Sequence, residues 1–86
     1  MRIQGAVVKE QGVSFAIFIV KQFVIQSQIE FQKAVTTFSN CFPRMPVVLM
    51  AQDNLGIPTY RGRKDIVEFL ANIQVSQIPW KEYTFS

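Results

Sequence analysis

Apolar positions along this chain recur with two different periods, and the change of period divides it into strands and helices. From Val13 to Val20 (VSFAIFIV) both alternate sets are apolar: Val13, Phe15, Ile17 and Ile19 on one side, Ala16, Phe18 and Val20 on the other. A strand so patterned is covered on both faces. The preceding RIQGAVVKE segment, residues 2–10, is enriched in β-branched residues, and Gln11-Gly12 supplies a turn, so the two segments read as a hairpin. Past Ser27 the spacing becomes helical. Phe31, Ala34, Val35, Phe38 and Phe42 make one apolar stripe, with Gln32, Lys33, Thr36, Thr37 and Asn40 lying off it. Ser27 and Glu30 have the capping-box spacing that starts a helix, and Pro43 ends it. Residues 21–26, KQFVIQ, read as a strand extension or a loop.

The second half repeats the theme. Pro46 to Ala51 is a buried apolar run, Gln52-Asp53-Asn54-Leu55-Gly56 holds turn-forming residues, and Ile57-Pro58-Thr59-Tyr60 is a return arm. Pro58 cannot donate to a ladder, which places that arm on an edge. Asp65 with Glu68 three residues later reads as the cap of a second helix, whose stripe is Ile66, Phe69, Leu70 and Ile73. Residues 74–86 carry Val75, Ile78, Trp80, Tyr83 and Phe85, too aromatic a tail for a disordered end. The expected fold is a single α+β domain over residues 1–86: a two-layer sandwich with a mixed four-stranded sheet in the order ββαββα. Both helices are expected on one face, with the tail packing on the domain or on a neighbouring subunit.

Composition changes this picture in one respect. The chain has 86 residues, 49% hydrophobic and only 17% charged, against about 25% charged in an average soluble domain. So small a domain has little interior for so much apolar surface. The expectation is therefore a homodimer, with an unidentified protein as a further partner, and Phe18, Val20, Trp80, Tyr83 and Phe85 as interface candidates. The longest apolar run, Phe15–Val20, falls far short of the roughly 20 residues of a membrane helix. Gln4, Lys9 and Glu10 interrupt any secretory signal core, and one cysteine, Cys41, makes no internal disulfide. These features give a cytoplasmic expectation with no membrane partner.

Candidate chemistry is sparse. With no histidine, a single cysteine and no clustered carboxylates, the sequence offers no metal set, no cofactor motif and no histidine-dependent catalysis. Asp53-Asn54 reads as a hairpin apex. The one dense basic cluster is Tyr60-Arg61-Gly62-Arg63-Lys64, just before a helix. Guanidinium forks and free backbone N–H groups there are a candidate seat for a phosphorylated ligand or nucleic acid. The plainer reading is a solvated loop that Asp65 neutralises. No catalytic residue is assigned, and function does not follow from the residues alone.

The stretch from the second strand to the last helix, with a proline before the apolar strand (Met45-Pro46-Val47-Val48-Leu49) and Gly62 before the final helix, resembles the C-terminal half of thioredoxin-like domains. In that family the proline is cis and faces a Cys-x-x-Cys pair, which this chain lacks. What survives of the resemblance is a degenerate enzyme using Cys41, set against a lone cysteine behaving as a small hydrophobe. More broadly, Val47-Val48-Leu49-Met50-Ala51-Gln52-Asp53 and Gly62-Arg63-Lys64-Asp65-Ile66-Val67 are similar to patterns in short uncharacterised bacterial single-domain proteins. That likeness implies a small standalone α+β protein and brings no activity with it.

Overall fold

The computed structural model describes residues 2–10 and 12–84. Eight regular elements follow one another: β1 (Arg2–Glu10), β2 (Val13–Ile19), α1 (Gln22–Gln26), α2 (Gln28–Cys41), β3 (Val47–Gln52), β4 (Pro58–Arg61), α3 (Lys64–Ala71) and β5 (Lys81–Thr84). A single 3-10 turn, Val75–Gln77, precedes β5. The strands form one mixed sheet in the order β4-β3-β2-β1-β5. β2 and β3 are parallel, with Ile19 beside Met50, and the other neighbours are antiparallel. The expected α+β class and mixed sheet are present, but the sheet has five strands. The fifth comes from the aromatic tail, which pairs along β1 from Arg2 with Thr84 to Gly5 with Lys81.

The alternation in β2 is satisfied within one chain. Phe15 and Ile17 pack with Val48, Met50, Ile66, Leu70 and Ile78 beneath α3. Ala16 and Phe18 pack with Val47, Leu49, Ala51, Ile25 and Phe38 beneath α1 and α2. The expectation that both helices share one face is therefore corrected. The crossover from β2 to β3 carries α1 and α2 over one face, and the chain leaving β4 turns to the other. Gly62 makes that passage: a Cβ there would stand 2.9 Å from Val48 Cγ2, on the α3 side. Each large aliphatic side chain sealed this way contributes about 1.5–3 kcal/mol, and Ile17, Val48, Leu49, Met50 and Leu70 have no measurable exposure.

Local signals are met in part. Ser27 Oγ accepts from the Glu30 N–H at 3.3 Å, as the capping spacing requires. The reciprocal half of the box is absent, because Ser27 N–H donates to the Phe23 carbonyl of a preceding helical turn. Residues 22–26 thus form a short helix, which replaces the expected strand extension or loop. The β3–β4 hairpin is as expected: Asp53 Oδ1 accepts from Leu55 N–H at 2.8 Å and Ile57 N–H at 2.9 Å, and Gly56 takes φ +80°. Pro58 opens the edge strand β4. Asp65 does not cap α3. It lies in the first turn, after Arg63 in the cap position, and its carboxylate holds the Arg63 guanidinium instead. The Gln11 half of the expected β1–β2 turn and Phe85 lie outside the described residues.

Candidate functional site

The basic loop is dispersed by the strand on which it begins. Successive residues of β4 face opposite sides, so Tyr60 packs against the α3-side core while Arg61 points to the α1/α2 side. Arg61 Nη1 donates to the Ile25 carbonyl at 2.6 Å, and Nη2 donates to Gln28 Oε1. Its guanidinium also lies 4.1 Å from the centroid of the Phe31 ring. The side chain is a clasp holding the α1–α2 junction against β4. Arg63 makes a two-pronged pair with Asp65, both N–O distances 2.7 Å, and the Arg63 guanidinium holds the Asp65 carboxyl down to about 2. Lys64 is exposed at the start of α3. The Tyr60 hydroxyl is buried without a partner among the described residues, and burial pushes its pKa up. The structure does not bring Tyr60, Arg61, Arg63 and Lys64 together on one surface.

The interface candidates fare differently from one another. Phe18 is 0% exposed, stacked on Phe38 with 4.3 Å between centroids and flanked by Phe42 and Tyr83. It belongs to the interior of the protomer, because α2 and the tail cover the sheet face left bare in the sequence expectation. Tyr83 packs edge-on against Phe18 and Phe42. Trp80 is half-buried beside the α3-side core, with Nε1 donating to the Val75 carbonyl at 2.9 Å. Val20 is half-buried and lines a groove.

That groove is the feature with the geometry of a binding site. Helix α2 runs diagonally over its face, from Gln28 against Arg61 at the β4 edge to Phe42 against Tyr83 at the β5 edge. The start of β1 and the end of β2 are thereby left uncovered beside it. The resulting trough has a volume of about 580 Å³, inside the range of about 300–1,000 Å³ typical of small-molecule sites. It is lined by Ile3, Ile19 and Val20 at the strand ends, by Phe23 and Val24 of α1, and by Glu30, Lys33, Ala34, Thr37 and Phe38 of α2. Arg2 and Lys21 complete the lining.

The charged lining is mostly basic. Arg2 Nε lies 3.9 Å from Glu82, and Lys33 Nζ lies 3.9 Å from Glu30, both pairs largely exposed and so weak. Lys21 is exposed and has no ion pair among the described residues. Lys33 and Thr37 lie off the apolar stripe of α2 in the sequence, yet both line the groove. The missed signal is that Glu30, Lys33 and Thr37, at helical steps of three and four, run alongside Ala34 and Phe38 of the apolar stripe.

Elsewhere the chemistry is thin. A smaller pocket of about 160 Å³ lies between Glu10, Val13 and Phe15 and Asp65, Ile66 and Phe69 of α3. Among the described residues there is no group of three potential metal ligands, and no helix is long and apolar enough to cross a membrane. Cys41 is exposed at the end of α2. No cis peptide bond occurs among the described residues, and Pro46 is trans. Compared with protein-family models, curated proteins and solved structures, the chain finds no match.

Proposed function

We propose that this is a non-enzymatic binding protein whose working surface is the groove between α1, α2 and the β1–β2 ends. The observation that carries the reading is the combination of volume and lining: an apolar floor and walls broad enough for a small ligand, with cations gathered at the rim. Apolar lining that stays open to water loses the transfer free energy a covering ligand would supply, about 25 cal/mol per Å². The test is titration with anilinonaphthalene sulfonate, an apolar anion whose fluorescence rises on burial. Saturable one-to-one binding that Ala34→Phe abolishes, with Trp80 fluorescence unchanged to show an intact fold, supports the reading. Binding that ignores Ala34→Phe, or no binding, contradicts it.

Self-association is the second reading, and it rests on a separate observation. Among the described residues, four large apolar side chains are exposed: Phe23 (55%), Ile29 (68%), Leu55 (84%) and Ile57 (57%). Because β2 and β3 are parallel and end side by side, α1 and the β3–β4 hairpin leave the same end of the sheet. Phe23, Leu55 and Ile57 are thus carried on segments at one end, with Ile29 in the first turn of α2. Sedimentation velocity decides it: a dimer at tens of micromolar that Leu55→Asp with Ile57→Asp converts to monomer favours a homodimer through this end. A wild-type monomer removes it.

A further inference from the structure

Building on the groove reading above, we infer that its ligand is a single-chain aliphatic carboxylate, with the tail along Ile3, Val20, Val24 and Ala34 and the head group at Lys21. The lining sets the body of the ligand. The polar lining groups are Arg2, Lys21, Glu30, Lys33 and Thr37, while the stretch along Ile3, Val20, Val24 and Ala34 has no side-chain donor or acceptor, so the polar body of a sugar, nucleoside or peptide laid along it would go unpaired there, and an unpaired polar group costs several kcal/mol. A hydrocarbon chain asks for no partner.

The charges set the head. Three cations, Arg2, Lys21 and Lys33, face one carboxylate, Glu30, in the lining, and Lys21 is the cation with no ion pair among the described residues. A carboxylate supplies the single negative charge that one ammonium pairs. The cations also sit correctly for an amphipathic guest. Their aliphatic stems extend the apolar wall while their heads stay in water, so a carboxylate meets Lys21 at the mouth without being stripped of solvent, which keeps the desolvation penalty small.

The experiment is calorimetric titration of the full chain with hexanoate, octanoate and decanoate, each below its micellar concentration, and with octanol as the uncharged match. Affinity should rise about fourfold for each methylene seated in the groove, octanoate should bind about two- to fivefold tighter than octanol, and Lys21→Gln should bring octanoate down to the octanol level while leaving octanol unchanged. Lys64→Gln, a cation on the opposite side of the sheet, should change nothing. Equal affinities for octanoate and octanol, or an indifferent Lys21→Gln, overturn the carboxylate while leaving the groove standing. Binding of the aromatic sulfonate without any alkyl carboxylate overturns the aliphatic tail. Capture by anionic phospholipid vesicles with no binding of monomeric decanoate overturns the soluble single-chain ligand.

Discussion

Gly5 offers the sharpest test of how the α1/α2 side of the sheet is packed. It lies opposite Phe18 in the β1–β2 ladder. A Cβ at this position would stand 2.6 Å from Phe18 Cδ1, 2.8 Å from Cε1 and 2.9 Å from the Ile17 carbonyl oxygen. None of these atoms is free to retreat. The carbonyl is part of the central sheet, and the ring is held by Phe38 at 4.3 Å, Phe42 at 5.4 Å and Tyr83 at 5.8 Å. Forcing extra volume into a filled core costs about 1–3 kcal/mol. The stiffer unfolded chain of an alanine variant returns about 0.4–1 kcal/mol of that. Gly5→Ala should therefore destabilise the protein by roughly 1–2 kcal/mol, lowering Tm by about 5–15 °C in a domain of this size. Urea denaturation followed by circular dichroism measures it. In a Phe18→Leu background the same substitution should cost clearly less, because the ring atoms it strikes are gone and only the Ile17 carbonyl contact remains. A Gly5→Ala midpoint equal to or above that of the wild type would refute the reasoning.

Other expectations follow from single contacts. Arg61→Ala should lower stability by about 1–3 kcal/mol through loss of the clasp on Ile25 and the Phe31 contact, and Arg61→Lys should rescue little of it, since one ammonium cannot reproduce the fork; urea midpoints decide. Tyr60→Phe should be neutral or stabilising by up to about 1 kcal/mol, because it removes a buried hydroxyl that has no partner; a loss above that in thermal melts contradicts it. Asp65 is depressed in the folded state by Arg63, so its stabilising effect is present above its unfolded value near 4 and fades as pH falls through about 2. An NMR titration placing the Asp65 carboxyl near 4 would remove that pair. Asp53→Ala, which deprives Leu55 and Ile57 N–H of their acceptor, should cost about 1 kcal/mol, read by the same denaturation assay.

The elements were largely legible because short-range signals decide them. The Ser27 cap, the Asp53–Gly56 turn, the edge proline at Pro58 and the two helical stripes each act within a few residues, and each stands where its pattern puts it, except that Phe42 and Ile73, the last residues of the two stripes, lie just past the ends of α2 and α3. What the pattern could not supply was allocation between faces. VSFAIFIV says that both sides of β2 are covered but not by what, and a chain leaving β4 can turn either way. Reading both helices onto one side left the other bare and called for a second subunit. The passage over Val48 at Gly62 sends α3 to one face, and α1 and α2 cover the Phe18 face from the same chain.

Two smaller misreadings have local causes. KQFVIQ is apolar enough for a strand, yet the capping of α2 at Ser27 leaves room for a helical turn before it. Asp65 stands where a cap is plausible, but Arg63 two residues away offers it a charged partner. The groove was invisible in sequence because it arises from the diagonal path of α2, which the pairing of Arg61 with the α1–α2 junction fixes across thirty-three or more residues of chain.

The most direct measurement is the amide NMR spectrum of the labelled protein titrated with decanoate. Binding in the groove predicts concentration-dependent shifts at Ile3, Val20, Val24 and Ala34, with Tyr60, Arg63 and Lys64 unmoved. Shifts confined to the basic loop or to the β3–β4 hairpin, or a spectrum that does not change, would contradict it.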